Sequence, residues 1–253
     1  MLLETKNLGI TFGGLKALQG LNLTVDMGEI VGLIGPNGAG KTTVFNLLTA
    51  VYEPTDGEIF LDGKSTAKKK TYQLNRMGIA RTFQNIRLFK DMSVMDNVKV
   101  AFSNETKYSA ISGIMRLPSF WKEEKRIEEK AMELLSMFDL QSLVDVKARH
   151  LAYGKQRKLE IVRALASNPK VLLLDEPAAG MNPTETAELA DAINLIREKF
   201  EIAILLIEHD MSFVMGICDR LVVLDYGKEI ARGLPDEVRK NPDVIAAYLG
   251  GER

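Results

Sequence analysis

The chain has 253 residues, of which 46% are hydrophobic and 26% are charged. This composition is typical of globular proteins, excludes a disordered chain, and allows about two domains at most. Lys and Arg total 33 and Asp and Glu total 34, so no overall charge excess would recruit nucleic acid or an anionic membrane. The single cysteine, Cys218, excludes an internal disulfide and a cysteine metal cluster, and it fits a reducing compartment.

The sequence pattern of the first third of the chain predicts short strands and one helix. Short apolar runs predict β-strands at residues 3–10, 21–25, 29–34, 58–61 and 78–83. Apolar residues at helical spacing predict a helix over 41–50. No apolar stretch reaches 18 residues and the first residues lack a basic start with an apolar core, so we expect neither a membrane-spanning helix nor a secretory signal.

Helical patterns dominate the middle of the chain, and strands alternate with helices after it. We predict helices at 122–138, 154–166 and 184–200, buried strands at 171–174, 203–207 and 221–224, and short terminal helices interrupted at Pro242. Buried strands alternating with helices predict an α/β fold whose parallel sheet is covered on both faces. The expected division is an α/β core at 1–84 and 153–235, a helical subdomain at 85–152 and a helical tail at 236–253.

A glycine-rich loop, GPNGAGKT, lies between the predicted strand at 29–34 and the predicted helix. Its spacing of glycines, lysine and hydroxyl residue matches the phosphate-loop pattern. Backbone N–H groups then converge on a polyphosphate, Lys41 contacts the β- and γ-phosphates, and Thr42 supplies a hydroxyl to Mg²⁺. The alternative is a glycine-rich turn that binds no ligand. We expect the nucleotide to contact Gly35, Pro36, Asn37, Gly38, Ala39, Gly40, Lys41, Thr42 and Thr43.

A second motif is the apolar strand 171–174, which ends in the carboxylates of Asp175 and Glu176. An aspartate at a strand end can hold Mg²⁺, and the adjacent glutamate can orient and deprotonate an attacking water. Standing alone, the same sequence would be an exposed acidic turn. Because the chain has no guanine-reading Asn-Lys-x-Asp sequence, the two motifs together predict ATP hydrolysis.

Residues 151–156, Leu-Ala-Tyr-Gly-Lys-Gln, resemble the signature loop of ABC ATPases. With the two motifs above, the chain is identified as a member of that family, and the resemblance spans about residues 3–232. It implies a single ABC ATPase domain over 1–253, with an α/β P-loop NTPase (RecA-like) core, a parallel-sheet centre, N-terminal antiparallel β elements and an inserted α-helical subdomain. The strings GIARTFQNIRLF, LAYGKQRKLEIVRAL, DEPAAGMNP and IEHDM are most similar to ATP-binding subunits of branched-chain amino acid importers.

The resemblance also implies roles for individual residues. Phe12 would stack on adenine, Gln84 would contact Mg²⁺ and water, and His209 would contact the γ-phosphate. The implied catalytic set is Glu176, His209, Gln84 and Lys41, and the implied metal ligands are Thr42, Gln84 and Asp175. The signature residues would face ATP bound to a second subunit, and they are Tyr153, Gly154, Lys155 and Gln156. Two positions depart from the common family pattern: Ala152 replaces a serine and Asn182 replaces an aspartate.

The family implies partners as well. These are a second ABC ATPase subunit, identical or homologous, transmembrane permease subunits, and indirectly a solute-binding protein, at the cytoplasmic face of the membrane. Residues 88–94 either dock a permease helix or are buried in the chain's own core. No nucleic acid partner is expected. The alternative function is a soluble ABC ATPase in DNA repair, translation or cofactor assembly.

Overall fold

The computed structural model describes residues 1–102, 115 and 117–249. Its strands are β1 (Leu3–Phe12), β2 (Leu15–Leu21), β3 (Thr24–Val25), β4 (Ile30–Ile34), β5 (Asp56–Leu61), β6 (Lys64–Ser65), β7 (Ile79–Arg81), β8 (Val171–Asp175), β9 (Ala203–Ile207), β10 (Arg220–Asp225) and β11 (Lys228–Gly233). Its helices are α1 (Lys41–Leu48), α2 (Thr71–Met77), α3 (Val94–Ala101), α4 (Pro118–Ser136), α5 (Tyr153–Leu165), α6 (Pro183–Phe200), α7 (Met211–Ile217), α8 (Pro235–Lys240) and α9 (Pro242–Leu249). Two 3₁₀ turns lie at Gln141–Leu143 and Ala148–His150.

The central sheet has six strands in the order β11-β10-β4-β9-β8-β7. The neighbours from β10 to β7 run parallel, and β11 is added antiparallel at one edge. Every residue of β4, β8 and β9 is buried. Apolar strands of this kind form where helices or a second sheet cover both faces, so the predicted parallel sheet is confirmed.

A second, antiparallel sheet covers one face of the central sheet. It has the order β2-β1-β5-β6, and β3 pairs with the start of β1. Its inward side chains, such as Leu8 and Leu21, share an apolar cluster with Val31 and Leu173 of the central sheet. The N-terminal antiparallel elements are therefore confirmed, and helix α1 packs in the same layer through Val44.

Helices cover the other face. Alternate residues of the central strands, such as Ile30 and Leu172, point to a cluster that also contains Val98 of α3 and Ile127 of α4. The stretch expected to be helical thus supplies α3, α4 and the two 3₁₀ turns within its described part, and these share one apolar core with the sheet. Among the described residues, no helix is both long and apolar enough to cross a bilayer.

The structure corrects one predicted strand and adds short elements. The predicted strand at 21–25 is wrong, because the chain pairs with β1 as β2 and again as β3 with an exposed Asn22 between them. The sequence patterns do not individually predict helices α2, α3 and α7 or strands β6 and β11, because each of these elements has eight residues or fewer. The break before Pro242 is confirmed, since α8 ends at Lys240 and α9 starts at Pro242.

The burial of β8 can be tested by measuring the stability of a variant. Leu174 is fully buried in the strand that ends at Asp175, so Leu174→Ala should lower the free energy of unfolding by about 2–5 kcal/mol. The same substitution at Leu195, which is 47% exposed on α6, should change it by about 0.5 kcal/mol or less. Urea unfolding followed by circular dichroism measures both, and equal losses would contradict the assigned core.

Candidate functional site

The glycine-rich loop connects β4 to α1, as predicted from the sequence. Gly35 begins the loop with φ +147°, and a Cβ placed there would lie 2.1 Å from the carbonyl oxygen of Leu224 on β10. No other residue fits this close approach of two backbones. Asn37 and Gly38 are exposed at the tip, whereas Ala39 is buried beneath it.

The N-terminus of α1 opens onto this loop without a capping side chain. Gly40 is the N-cap residue, it contributes no side-chain hydrogen bond, and the first turn contains no acidic residue. The first backbone N–H groups of the helix and its positive dipole end are therefore directed at the loop, an arrangement suited to an anion. Thr42 is exposed in this first turn and Thr43 is half-buried.

Lys41 is the cation of the loop. Its Nζ donates hydrogen bonds to the carbonyl oxygens of Gly35 (2.6 Å) and Pro36 (2.8 Å), and the residue is buried. Burial lowers the pKa of Lys41, and the charges of Glu176 and Asp175 oppose that shift. The phosphate loop and the acidic pair thus belong to one electrostatic site.

Asp175 is held by an arginine whose role the motifs did not reveal. At the end of β8, its Oδ2 lies 2.8 Å from the guanidinium Nη2 of Arg81, and both side chains are buried. Arg81 also donates to Asn46 of α1 (2.8 Å) and lies beside the rings of Phe45 and Phe83. This contact orients the carboxylate and neutralises its charge inside the protein.

Gln84 and His209, two members of the expected catalytic set, both contact the carboxylate of a third, Glu176. Gln84 Nε2 donates to Glu176 Oε2 at 2.9 Å, and His209 Nε2 lies 2.5 Å from Glu176 Oε1. Glu176 has a left-handed backbone (φ +50°), which costs a non-glycine residue about 1–3 kcal/mol and recurs at functional sites. The Glu176 carboxylate is mostly buried, whereas Gln84 and His209 are exposed. The cluster of three side chains is therefore accessible to solvent at Gln84 and His209.

Glu208, next to His209, is a second residue that sequence reasoning missed. Its carboxylate accepts hydrogen bonds from the backbone N–H groups of Ala178 (2.8 Å) and His209 (2.9 Å). Burial raises the pKa of Glu208, and these backbone donors oppose the rise. Glu208 joins the loop that follows Glu176 to the segment that carries His209. The available signal in the sequence was a glutamate directly after a predicted apolar strand.

The signature segment begins helix α5. Its N-cap residue, Ala152, makes no side-chain hydrogen bond, and Tyr153 and Lys155 are exposed. Gly154 is buried, and a Cβ placed there would lie 2.6 Å from Oε1 of Glu185 on α6. Gln156 is turned back, and its Nε2 donates to the carbonyl oxygen of Leu151 at 2.9 Å.

Asn182 caps helix α6 beside the signature segment. Its Oδ1 accepts from the Glu185 backbone N–H, and Glu185 Oε2 accepts from the Asn182 backbone N–H, both at 3.0 Å. This reciprocal capping box is a good N-terminus for a helix. Because Glu185 also packs on Gly154, the loop after the acidic pair and the signature helix are in direct contact.

Arg157 connects the signature helix to Gln84, and sequence reasoning missed this link as well. Its guanidinium donates to the carbonyl oxygens of Phe83 (2.6 Å) and Gln84, and it lies 3.4 Å from Glu160. Glu160 in turn accepts from the Arg87 backbone N–H at 3.0 Å. The segment that carries Gln84 is therefore bound at two points to α5.

Phe12 ends β1 with an exposed ring, 43% of the residue being accessible. This ring and the ring of Tyr52 form a T-shaped pair, with 5.2 Å between the centroids. An exposed aromatic face offers a stacking surface to a planar base. The structure thus brings Lys41, Asp175, Glu176, Gln84 and His209 together, and it places Phe12 and the signature segment at separate exposed positions.

Comparison with known proteins agrees with this geometry. The model of the ABC transporter family matches residues 18–179, and a model named branched-chain amino acid ATP-binding cassette transporter matches residues 228–253. The chain is 45% identical over 249 residues to the high-affinity branched-chain amino acid transport ATP-binding protein BraF of Pseudomonas aeruginosa, covering 98% of each chain. It is 47% identical to the corresponding protein LivG of Escherichia coli K12, again covering 98% of each chain.

A solved structure of similar shape is an ATP-binding cassette of an ABC transporter in its ADP conformation. The TM-score is 0.85 and the sequence identity 33%, and the match covers 99% of both chains. The phosphate loop, the acidic strand end and the signature helix all lie on a fold that this structure shares. The chain therefore belongs to the ABC transporter family of ATP-hydrolysing cassettes.

Proposed function

We propose that this cassette powers the import of branched-chain amino acids as part of an ABC transporter. The observation that carries the hydrolytic part is Glu176, held between Gln84 and His209 within the electrostatic range of Lys41. The solute class rests on the full-length similarity to proteins named for branched-chain amino acid transport. That similarity favours transport over a role in DNA repair, translation or cofactor assembly.

In the proposed reaction, the phosphate loop and Lys41 bind the triphosphate and Phe12 stacks on the adenine. Glu176 accepts a proton from the attacking water, and His209 and Gln84 hold the carboxylate and the γ-phosphate in position. Thr42, Gln84 and Asp175 offer a hydroxyl, an amide and a carboxylate oxygen, a donor set that suits Mg²⁺. The ion, when bound, would neutralise charge on the phosphate oxygens.

The signature residues Tyr153, Gly154, Lys155 and Gln156 would act on ATP bound to a second cassette. The N-terminus of α5 has no capping side chain, and Lys155 adds a positive charge beside it, so an anion would be stabilised there. With Ala152 in place of a serine, the backbone N–H groups and Lys155 supply this attraction. ATP would then bridge two cassettes, and hydrolysis would release them.

A groove of about 250 Å³ is the proposed docking site for a permease helix. It is lined in part by Phe89 and Val100, which are 49% and 42% exposed, and by Arg81 and Arg163. Phe89 lies in the segment 88–94 that the sequence suggested for this role. Because Arg81 is the residue that holds Asp175, a helix in this groove would contact the nucleotide site through one side chain. Such docking would place the cassette at the cytoplasmic face of the membrane, with a solute-binding protein acting on the permease.

Glu176→Gln should retain ATP binding and lower the rate of hydrolysis by about 10²-fold or more, because the amide cannot accept the proton. With ATP bound and not hydrolysed, the variant should accumulate as a dimer. Phosphate release and light scattering measure the two effects. Glu58→Gln, an exposed position on β5, serves as the control and should behave like the wild type. A variant that stays monomeric with saturating ATP would contradict the bridging role of the nucleotide.

Val100→Asp should separate docking from nucleotide binding. A charge in the apolar part of the groove should abolish co-purification of a multi-span membrane chain from detergent-solubilised native membranes, while the Kd for ATP stays unchanged. Leu195→Asp is the matched control, since Leu195 is exposed on α6 away from the groove lining. If both variants retain the membrane chain, this groove is not the docking site.

The solute class is tested with the complete assembly. Reconstituted in liposomes with its solute-binding protein, the complex should take up labelled leucine, isoleucine or valine when ATP is supplied on the cassette side, and uptake should stop in Glu176→Gln. ATP hydrolysis that is never stimulated by these amino acids would contradict the proposal. Co-purification of the native protein with nucleic acid would favour the alternative class.

A further inference from the structure

The turn between β10 and β11 is bonded to both the phosphate loop and the antiparallel sheet. The backbone N–H of Gly227 donates to the carbonyl oxygen of Ala39 at 3.0 Å, and its carbonyl oxygen accepts from the Gln19 N–H at 2.8 Å. Ala39 lies one residue before the N-cap of α1. The turn therefore holds the end of the loop that leads into the helix.

Space around Gly227 allows no side chain. The residue is buried with φ +76°, and a Cβ there would lie 2.5 Å from the Ala17 carbonyl oxygen and 2.9 Å from its carbonyl carbon. A Cβ built on Gly40 would in turn lie 3.0 Å from the same oxygen and 3.6 Å from Gly227 Cα. Backbone from β2, from the β10–β11 turn and from the phosphate loop thus meets at this point, with no room for a side chain between the segments.

Strand β10, which leads into this turn, lies against the other end of the loop. A Cβ built on Gly35, the first residue of the loop, would lie 2.1 Å from the carbonyl oxygen of Leu224. Leu224 precedes Gly227 by three residues. The β10–β11 hairpin therefore contacts the loop at its first residue and again just before α1.

We propose that Gly227 is a positioning residue for the phosphate loop, which keeps the loop shaped for the triphosphate. Neither the sequence motifs nor the expected catalytic set includes it. Its contribution would be to set the affinity of the cassette for ATP. This inference depends on ATP binding by the cassette and not on the solute that the transporter carries.

The first test compares two glycines with the same backbone strain. Gly227→Ala and Gly63→Ala each put a Cβ on a left-handed residue, but the Cβ at 63 (φ +69°) meets no atom within 4 Å. Gly227→Ala should raise the Kd for Mg-ATP, measured by calorimetry on the full chain, by about tenfold or more, because the loop is displaced. Gly63→Ala should leave the Kd at the wild-type value.

The second test separates affinity from folding. Gly227→Ala should raise the KM for ATP together with the Kd and leave kcat at saturating ATP nearly unchanged. A purely structural role would instead lower kcat with the folded fraction and leave the Kd of the folded protein unchanged.

The outcomes decide the proposal. A wild-type Kd in Gly227→Ala, or an equal loss in Gly63→Ala, would overturn the role of the turn. If Gly227→Ala fails to fold, Gln19→Pro decides, because proline on the edge strand β2 removes the N–H that donates to the Gly227 carbonyl oxygen. Gln19→Pro should raise the Kd, and a wild-type Kd there overturns the proposal. Wild-type ATP binding without amino acid uptake would contradict the transport function and leave this inference standing.

Discussion

The direction of the central strands is the constraint on which the site depends. Strands β10, β4, β9, β8 and β7 run parallel, so their carboxyl ends lie along one edge of the sheet. β4 leads into Gly35, β8 ends at Asp175, and β9 is followed by Glu208 and His209. Because these strands are buried on both faces, polar residues are accommodated mainly at the strand ends, and those at the carboxyl ends lie along this one edge. The parallel order of the strands therefore makes the phosphate loop a neighbour of Glu176, the carboxylate proposed to activate water.

Buried charges at that edge are stabilised by specific partners. Arg81 faces Asp175, and Arg157 donates to two backbone carbonyl oxygens near Gln84. The free-energy cost of desolvating both charges of a buried ion pair offsets much of their mutual attraction. A substitution that deletes one partner leaves the other charge buried and uncompensated. These contacts thus contribute mainly to orientation, since they hold Asp175 and the Gln84 segment in one arrangement. The Nε atoms of both arginines are buried without a hydrogen-bond partner, which shows how tightly the guanidinium groups are enclosed.

Sequence patterns predicted the parts of this protein that depend on local information. The strands β4, β8 and β9 are almost entirely apolar runs, and the complete phosphate-loop motif lies within eight consecutive residues. The sequence could not show that Arg81 pairs with Asp175, because the two are 94 positions apart and the pairing requires β7 and β8 to be neighbours. Strand β11 was missed because it is half exposed, and an edge strand needs no apolar run.

Helix α5 joins the functions proposed for this cassette in one rigid element. Its first turn carries the signature residues, Arg157 holds the segment that ends at Gln84, and Arg163 lines the proposed docking groove. With a rise of about 1.5 Å per residue, these three positions lie within roughly 15 Å along one helix. A permease helix that displaces Arg163 would shift the same helix that binds the Gln84 segment and that is proposed to face the second cassette. Because a helix packed on the sheet moves as a body, docking, water activation and ATP bridging would respond to a single displacement.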